Sequence, residues 1–278
     1  MTILINGEEA GITLEDEKTV EEVLAGIEKW LASMGSRISG LEIDGVTVCL
    51  DEIEKACARE LSDVESIGIQ ARSFADFAID SISYADATVT AFENTSFSDQ
   101  LLARQAFERS AAYRFLKENI PDIAETIGNT LAGTGLPLKD ASAFLKERAR
   151  EFASPLEEAN SQAGAVEEIV LRLENLPLDM QTGKDMRAAE TVRLFSAMAE
   201  RLFRIFSIMS QKGHKTRTVD FGGEIPVERF ISDFSAILQE MLNAYKSGDT
   251  ILCGDLAEYE IAPRLLAFFL ALTGTVKP

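Results

Sequence analysis

The spacing of apolar residues along the chain changes near residue 72. Before that point, apolar and polar residues alternate in short runs around one helical stretch, a pattern typical of strands in a half-buried sheet. Beyond it, apolar residues recur three and four positions apart, as on the buried face of an amphipathic helix. The pattern predicts an α+β protein, with a small sheet-and-helix domain at residues 1–72 and a mainly helical bundle at residues 73–278.

The first domain is predicted to begin with a β-hairpin and a capped helix. Residues 2–5 and 12–14 alternate like strands, and Asn6-Gly7 is a strong signal for a two-residue turn. Thr19 and Glu22 have the spacing of a capping box, and Gly35 ends the helix. One face of this helix carries the apolar residues Val20, Val23, Leu24, Ile27, Trp30 and Leu31.

Further strands are predicted at residues 41–48, around the Asp44-Gly45 turn, and at residues 66–70, with a short helix at residues 51–61 between them. This order of elements resembles the β-grasp fold of ubiquitin and the bacterial sulfur carriers, over the first quarter of the chain. The resemblance implies a scaffold whose exposed sheet face binds other molecules. The Gly-Gly tail that those carriers activate has no counterpart at residues 70–72 or 276–278, so carrier chemistry is not expected.

The remaining residues are divided by proline and glycine into about seven predicted helices. The longest, Asp185–Gln211, is apolar enough to lie at the centre of the core, and Asp185 is predicted to cap it. Phe230 to Tyr245 mark the next helix, Asp249 caps the last, and Pro263 is predicted to kink it. Residues 181–185 and 255–263 together resemble segments of bacterial helical proteins, a resemblance that implies no activity.

Charge restricts the kinds of partner. The 278 residues carry a formal net charge of −19, and residues 1–72 alone hold 16 acids and 6 bases. Such a field repels nucleic acids and anionic membranes and favours basic proteins.

The three cysteines form no C-x-x-C pair, and residues 1–7 lack the features of a signal peptide, so a cytoplasmic location is predicted. The apolar run at residues 265–276 is shorter than the ~20 residues of a membrane helix.

Few residues are candidates for chemistry. His214 is the only histidine, within a basic loop whose cations complement the end of the preceding helix and offer a docking point for an acidic partner: Lys212, His214, Lys215 and Arg217. Asp220-Phe221-Gly222 is predicted to be a turn, because the other kinase motifs are absent. Asp255, Glu258 and Glu260 form an acidic cluster. Asp255 and Glu258 share a helix face and could hold a cation, although a solvated face or a contact of the cluster with Arg264 is favoured.

These observations predict a non-catalytic, cytoplasmic bacterial protein that binds another protein as an adaptor or assembly chaperone. Helix packing and acidic surface support this function, and no catalytic, cofactor or metal residues are assigned. Homodimerisation through Asp185–Gln211 is a further prediction. The alternative is a carboxylate-based enzyme that uses a divalent cation at Asp255 and Glu258.

Overall fold

A mixed five-stranded sheet begins the chain in the computed structural model, which describes residues 1–14, 16–49, 51–93, 96–214 and 218–274, without the side chains of Phe97 and Ser98. The strand order is β2-β1-β5-β3-β4, and β1 pairs with β5 in parallel whereas the other neighbours are antiparallel. The strands are β1 (Thr2–Ile5), β2 (Glu8–Glu9), β3 (Ser36–Ile43), β4 (Val46–Thr47) and β5 (Ser66–Ser73).

Both predicted two-residue turns are confirmed. Asn6 and Asp44 have φ of +53°, and each is followed by a glycine with positive φ, as tight hairpins require. The predicted return strand at residues 12–14 is wrong, because a two-residue turn pairs Ile5 with Glu8 at once. The pairing of β2 with β1 ends near Ala10, because the chain turns there and the amide of Ile12 donates to the carbonyl of Ala10.

Helix α1 (Val20–Ser33) packs on one face of the sheet and is capped as predicted. Thr19 Oγ1 accepts from the amide of Glu22, whose carboxylate accepts from the amide of Thr19. Trp30 does not join the core: it lies at the margin of the apolar stripe and is 49% exposed. The core consists of Ile3, Val20, Val23, Ile27, Leu31, Leu41, Ile43, Val64, Ile67 and Ile69.

The last strand of the sheet leads directly into a helix. The predicted helix at residues 51–61 is shorter, namely α2 (Ile53–Cys57) followed by a 3₁₀ turn at Leu61–Asp63. β5 then runs to Ser73, whose side chain caps α3 together with Asp76. No separate linker is therefore needed between the sheet and the first helix of the helical region.

The chain forms two compact units, Met1–Ala149 and the residues from Arg150 onward. The division at residue 72 that the sequence predicts falls inside the first unit, where β5 meets α3. The other helices that begin in this unit are α3 (Phe74–Phe92), α4 (Phe97–Arg109), α5 (Ala111–Asn119), α6 (Pro121–Leu131) and α7 (Leu138–Ala153).

Over its described residues, the C-terminal unit is helical except for one hairpin, β6 (Thr218–Asp220) with β7 (Glu224–Pro226). Its described helices are α8 (Pro155–Asn160), α9 (Ala163–Glu174), α10 (Leu176–Gln181), α11 (Asp185–Gln211), α12 (Val227–Ser247), α13 (Thr250–Asp255) and α14 (Ala262–Thr273). A π-helical segment, Leu256–Ile261, joins α13 to α14. The predicted turn at residues 220–222 is confirmed as part of the hairpin connection.

The predicted number of helices is wrong. Twelve α-helices follow residue 73 in the described part of the chain, because short helices restart directly after the predicted breaks. Pro121 and Pro155 each occupy the first position of a new helix, where a missing amide costs nothing. Ser110 ends α4 and also caps α5, a boundary that carries neither proline nor glycine.

Helix α11 is central to the C-terminal core, and its predicted bounds are confirmed. The predicted cap is wrong: Lys184 occupies the N-cap without a side-chain bond, and Asp185 is already helical. The buried carboxylate of Asp179 fixes this turn, because it lies 3.0 Å from Arg187 Nε and 3.4 Å from Lys184 Nζ. On α12, Tyr245 is exposed and not part of the predicted apolar face.

A buried ionic network ties three helices of the C-terminal unit together. Glu151, fully buried in the last turn of α7, lies 3.1 Å from Arg204 and 3.6 Å from Arg201 on α11. Arg201 also pairs with Glu158 of α8, which in turn lies 3.2 Å from Arg150.

No helix in the described ranges has both the length and the apolar character that a membrane span requires.

Gly135 follows α6 at a point where a side chain has no room. A Cβ there would lie 2.6 Å from the backbone nitrogen of Thr130 and 2.8 Å from the carbonyl carbon of Asn129. We expect Gly135→Ala to destabilise the protein by about 1–3 kcal/mol, because backbone atoms must move. Thermal unfolding measures this, with Gly11→Ala as control, since a Cβ on Gly11 meets nothing within 4 Å. Equal melting temperatures for the two variants would contradict this expectation.

Asp44 holds the β3–β4 turn against the start of β5. Its carboxylate accepts from the amides of Ser66 and Glu65, at 3.0 and 2.7 Å, and lies 3.1 Å from Arg59. The bonds from the Ser66 and Glu65 amides, with a smaller contribution from Arg59, lower the pKa of Asp44 below its usual value of 3.8. The stabilisation is therefore present above pH 3.8 and is lost as the pH falls further.

We expect Asp44→Asn to lower the melting temperature at neutral pH, because asparagine keeps the positive φ and one acceptor oxygen but loses the charge. The difference from the wild type should shrink as the pH falls below 3.8, because the stabilisation by the charge is lost between that value and the lowered pKa of the folded carboxylate. Calorimetry across pH 3 to 7 tests this. A difference that stays constant over that range would show that the charge is not responsible.

Candidate functional site

Helix α14 is apolar on two faces. Arg264 is the only charged residue among its twelve. One face is buried in the core of the C-terminal unit, where Phe268 contacts the tilted ring of Phe203 at 4.9 Å and stacks on Phe230 at 6.2 Å, measured between ring centroids. A second apolar face is only partly buried and consists of Pro263, Leu266, Ala267, Leu270 and Ala271. A helix that is apolar all round is expected to be covered all round.

This second face forms the floor of a surface groove, here called the α14 groove. The β6–β7 hairpin forms its other wall, and the enclosed volume is about 520 Å³. From Pro263 to Gly274 the floor runs for three helical turns, or roughly 16 Å at 1.5 Å per residue. The lining residues are Thr218, Asp220, Phe221, Gly222 and Glu224 on the hairpin, and Pro263, Leu266, Ala267, Leu270, Ala271 and Gly274 on the helix side.

The hairpin wall is held in place by aromatic contacts. Val219 is fully buried. The guanidinium of Arg264 lies over the ring of Phe221, 4.5 Å from its centroid, and also pairs with Glu260. Phe230 meets the same ring edge-on at 6.1 Å. These contacts fix the wall of the groove to α12 and α14.

The charge of the groove is negative. Asp220 and Glu224 are the charged residues that line it in the described part of the chain, and both are exposed. The groove therefore combines an apolar floor, built on a helix, with an acidic wall. Such a surface attracts cationic groups from solution and accepts apolar side chains once they arrive.

The predicted acidic site lies next to α14 but not in the groove. Asp255 is exposed at the end of α13, and Glu258 lies in the π-helical segment. Glu258 accepts from the Tyr259 hydroxyl, and this bond raises the pKa of Tyr259. The predicted contact of this acidic cluster with Arg264 is confirmed at Glu260, its third acid. Among the described residues, no three histidine, cysteine or carboxylate side chains are grouped so that they could hold a metal.

The predicted kink at Pro263 has a counterpart in the π-helical segment that ends two residues earlier. A π-helical turn inserts one extra residue into the hydrogen-bond ladder and so changes which faces the following helix presents. Pro263 then occupies the first turn of α14, where its missing amide is tolerated. The segment thus changes the rotation of α14 relative to α13.

The predicted basic loop is described only in part. Lys212 and His214 are exposed at the end of α11. The ammonium of Lys212 donates to the carbonyl of Ala153 at 3.1 Å, so it complements the end of α7. The amide of His214 donates to the carbonyl of Met209. Lys215 and Arg217 lie outside the described residues, and a docking role for this loop stays a prediction.

The fold defines an α+β chain in which a leading mixed sheet is followed by helices. Two parts of it match families: residues 1–73 match the TP0873 N-terminal domain, and residues 157–269 match a domain of unknown function, DUF8042. The first match ends with β5, and the second includes the hairpin and the first two turns of α14. No curated protein and no solved structure matches the chain. Neither family description states an activity.

Sequence reasoning missed the groove, although the chain carries a signal for it. Residues 265–276 hold no charge, a run too short for a membrane span but long enough to make a helix apolar on more than one face. The hairpin was missed because its strands have three residues each, too short for alternation to register. Apolar residues on more than one face of a helix indicate that the helix packs against more than one neighbour.

The contact between Arg264 and Phe221 can be tested by substitution. Arg264→Met keeps an unbranched apolar side chain but removes the charge, and we expect about 1 kcal/mol of destabilisation. Amide hydrogen exchange at Val219 and Ile225 should increase, because the hairpin loses its anchor on α14. The control is Arg229→Met, which breaks an exposed pair with Asp233 and should stay within about 0.5 kcal/mol. Unchanged hairpin exchange in Arg264→Met would contradict the proposed anchoring.

Proposed function

We propose that the protein is a non-catalytic adaptor or assembly chaperone, acting in the bacterial cytoplasm, that binds an amphipathic helix of a partner protein in the α14 groove. The observation that carries the proposal is the second apolar face of α14, which lies partly open beside an acidic hairpin. Helix-in-groove recognition uses such a surface, with anchor residues at positions i, i+3, i+4 and i+7 of the bound helix.

The dimensions of the groove favour a helix as the occupant. Its floor is three turns long, and Ala267 and Ala271 lie one turn apart along it. Small side chains let another backbone approach closely, while Leu266 and Leu270 supply apolar contact area. A helix that places leucine-sized anchors between these positions would cover the face that the protein's own core leaves uncovered.

The charge of the groove favours a basic partner. Asp220 and Glu224 on the wall are exposed and add to a chain charge of −19. Complementary charge raises the rate of encounter and selects against acidic helices, even where each surface pair adds little affinity. The bound helix should therefore carry lysine or arginine beside its apolar stripe.

The N-terminal sheet is, in this proposal, a β-grasp scaffold. Support comes from the strand order β2-β1-β5-β3-β4, the parallel pairing of β1 with β5, and the helix that follows the first hairpin. On the open face, the side chains of Glu42 and Gln70 cover Gly68 and Gly40, respectively. The Cβ of Glu42 lies 3.2 Å from the position of a Cβ on Gly68, and the Cβ of Gln70 lies 3.3 Å from that of a Cβ on Gly40. This face is polar, so the groove and not the sheet is proposed to hold the apolar partner.

Homodimerisation through α11 stays a prediction. The apolar stripe on which it rested packs inside the unit's own core, including Phe195, Leu202 and Ile205. A dimer contact on α11 would have to use its other, more polar face. The carboxylate-based enzyme also stays a prediction, and the geometry of Asp255 and Glu258 adds no observation in its favour.

Fluorescence anisotropy with a designed peptide tests the function. The probe is a labelled helix with leucine along one face and lysine elsewhere, long enough to span three turns. We expect saturable binding in the micromolar range. Two matched peptides, one with glutamate in place of lysine and one with the same composition scrambled, should bind at least about tenfold more weakly.

Substitutions in the groove locate the site. Ala267→Gln and Ala271→Gln place a larger polar side chain on the floor without changing charge, and we expect each to weaken the lysine peptide by about tenfold. Ala165→Gln, on the exposed face of α9, is the control and should bind like the wild type. Wild-type affinity in both groove variants, or equal affinity for the glutamate peptide, would overturn the proposal.

A further inference from the structure

The N-terminal unit contains a pocket that the proposed function does not use. It has a volume of about 610 Å³, within the range of roughly 300–1,000 Å³ typical of small-molecule sites. The walls come from the end of α3, from α4, from the last turn of α6, and from the loop that leads into α7. Apolar side chains predominate in this lining: Phe92, Leu101, Leu131, Leu136, Pro137 and Leu138.

One polar group in the wall of the pocket has no hydrogen-bond partner among the described residues. Thr130 is 4% exposed, and its hydroxyl has no hydrogen-bond partner among the described residues. Most threonines inside helices return this hydroxyl to a carbonyl one turn earlier, as Thr126 does with Asp122. A buried hydroxyl without a partner costs free energy, and a polar group of a molecule in the adjoining pocket could satisfy it.

The charge in the wall is positive, in contrast to the rest of this acidic chain. Arg104 is the charged residue that lines the pocket, within the described part of the chain. Its Nε donates to Glu108 at 2.8 Å, and that bond does not use the two terminal nitrogens of the guanidinium. A guanidinium fork recognises a carboxylate with two parallel hydrogen bonds.

Gln100 and Gly135 complete the polar part of the wall. The amide nitrogen of Gln100 donates to the carbonyl of Phe92 at 3.0 Å, a bond that fixes this side chain and does not use its oxygen as acceptor. Gly135 packs so closely on the backbone of Thr130 that no side chain fits there. The loop from Gly133 to Pro137 is thus held against the end of α6.

We propose that this pocket binds a small amphipathic carboxylate, with an apolar chain against the leucines and Phe92, its carboxylate on Arg104, and a hydrogen bond to Thr130. Medium-chain fatty acids have this chemistry. The site goes beyond the proposed function and lies in the other unit of the chain. Its test therefore gives a result whether or not the α14 groove binds a helix.

Decanoate is the probe, and decanol, with the same chain but no charge, is its matched comparison. Binding to the full-length protein is followed by amide chemical shifts and by calorimetry, below the concentration at which decanoate forms micelles. We expect saturable binding of one decanoate per chain, with shifts concentrated at Gln100, Leu131 and Gly135. Decanol should bind about tenfold more weakly, because it cannot form the charged pair.

Two substitutions assign the polar contacts. Arg104→Met should lower decanoate affinity by about tenfold and leave decanol binding unchanged, whereas Arg109→Met, on the same helix but outside the pocket, should change neither. Thr130→Val removes the hydroxyl at constant shape. We expect its melting temperature to stay the same or to rise, because an unsatisfied group is lost, while decanoate affinity falls severalfold.

Three results would contradict parts of this proposal. Absence of saturable decanoate binding, or shifts confined to other surfaces, would overturn the site. Equal affinity for decanoate and decanol would overturn the choice of a carboxylate. A lower melting temperature of Thr130→Val with unchanged decanoate affinity would show that the hydroxyl has a structural partner, and the proposed contact with the ligand would then be wrong.

Discussion

The C-terminal unit depends on the burial of one face of α14 in the shared core. Phe268 lies at the centre of an aromatic cluster with Phe203, Phe206 and Phe230, which fixes the rotation of α14 about its axis. Once this rotation is set, the opposite apolar face must point away from the core. The groove is therefore a consequence of core packing and of the composition of one helix, and the hairpin only partly covers it.

The ionic network around Glu151 places a second constraint on the same unit. Carboxylates this deeply buried are tolerated only when cations and hydrogen bonds surround them, and Arg201 and Arg204 of α11 supply both. Because these arginines lie one turn apart, a shift of α11 along the end of α7 would separate Glu151 from its cations and leave a buried charge unpaired. The network therefore opposes such shifts of register.

Much of the fold could be predicted from local signals, and the groove could not. The Asn6-Gly7 turn, the Thr19 capping box and the Asp185–Gln211 helix each follow from a few neighbouring residues, and each is confirmed. Trp30 follows the apolar spacing of its helix and is nevertheless 49% exposed, because periodicity identifies an apolar stripe but not its margins. The groove depends on two segments some forty residues apart, Thr218–Pro226 and Pro263–Gly274, whose proximity no local pattern records.

The edges of the N-terminal sheet are protected against pairing with other chains. The outer strands β2 and β4 have two residues each, and β2 consists of two exposed glutamates. An intermolecular strand would find few free backbone groups there and would meet negative charge. The protein can accordingly reach high concentration without seeding β-aggregates through the edges of its own sheet.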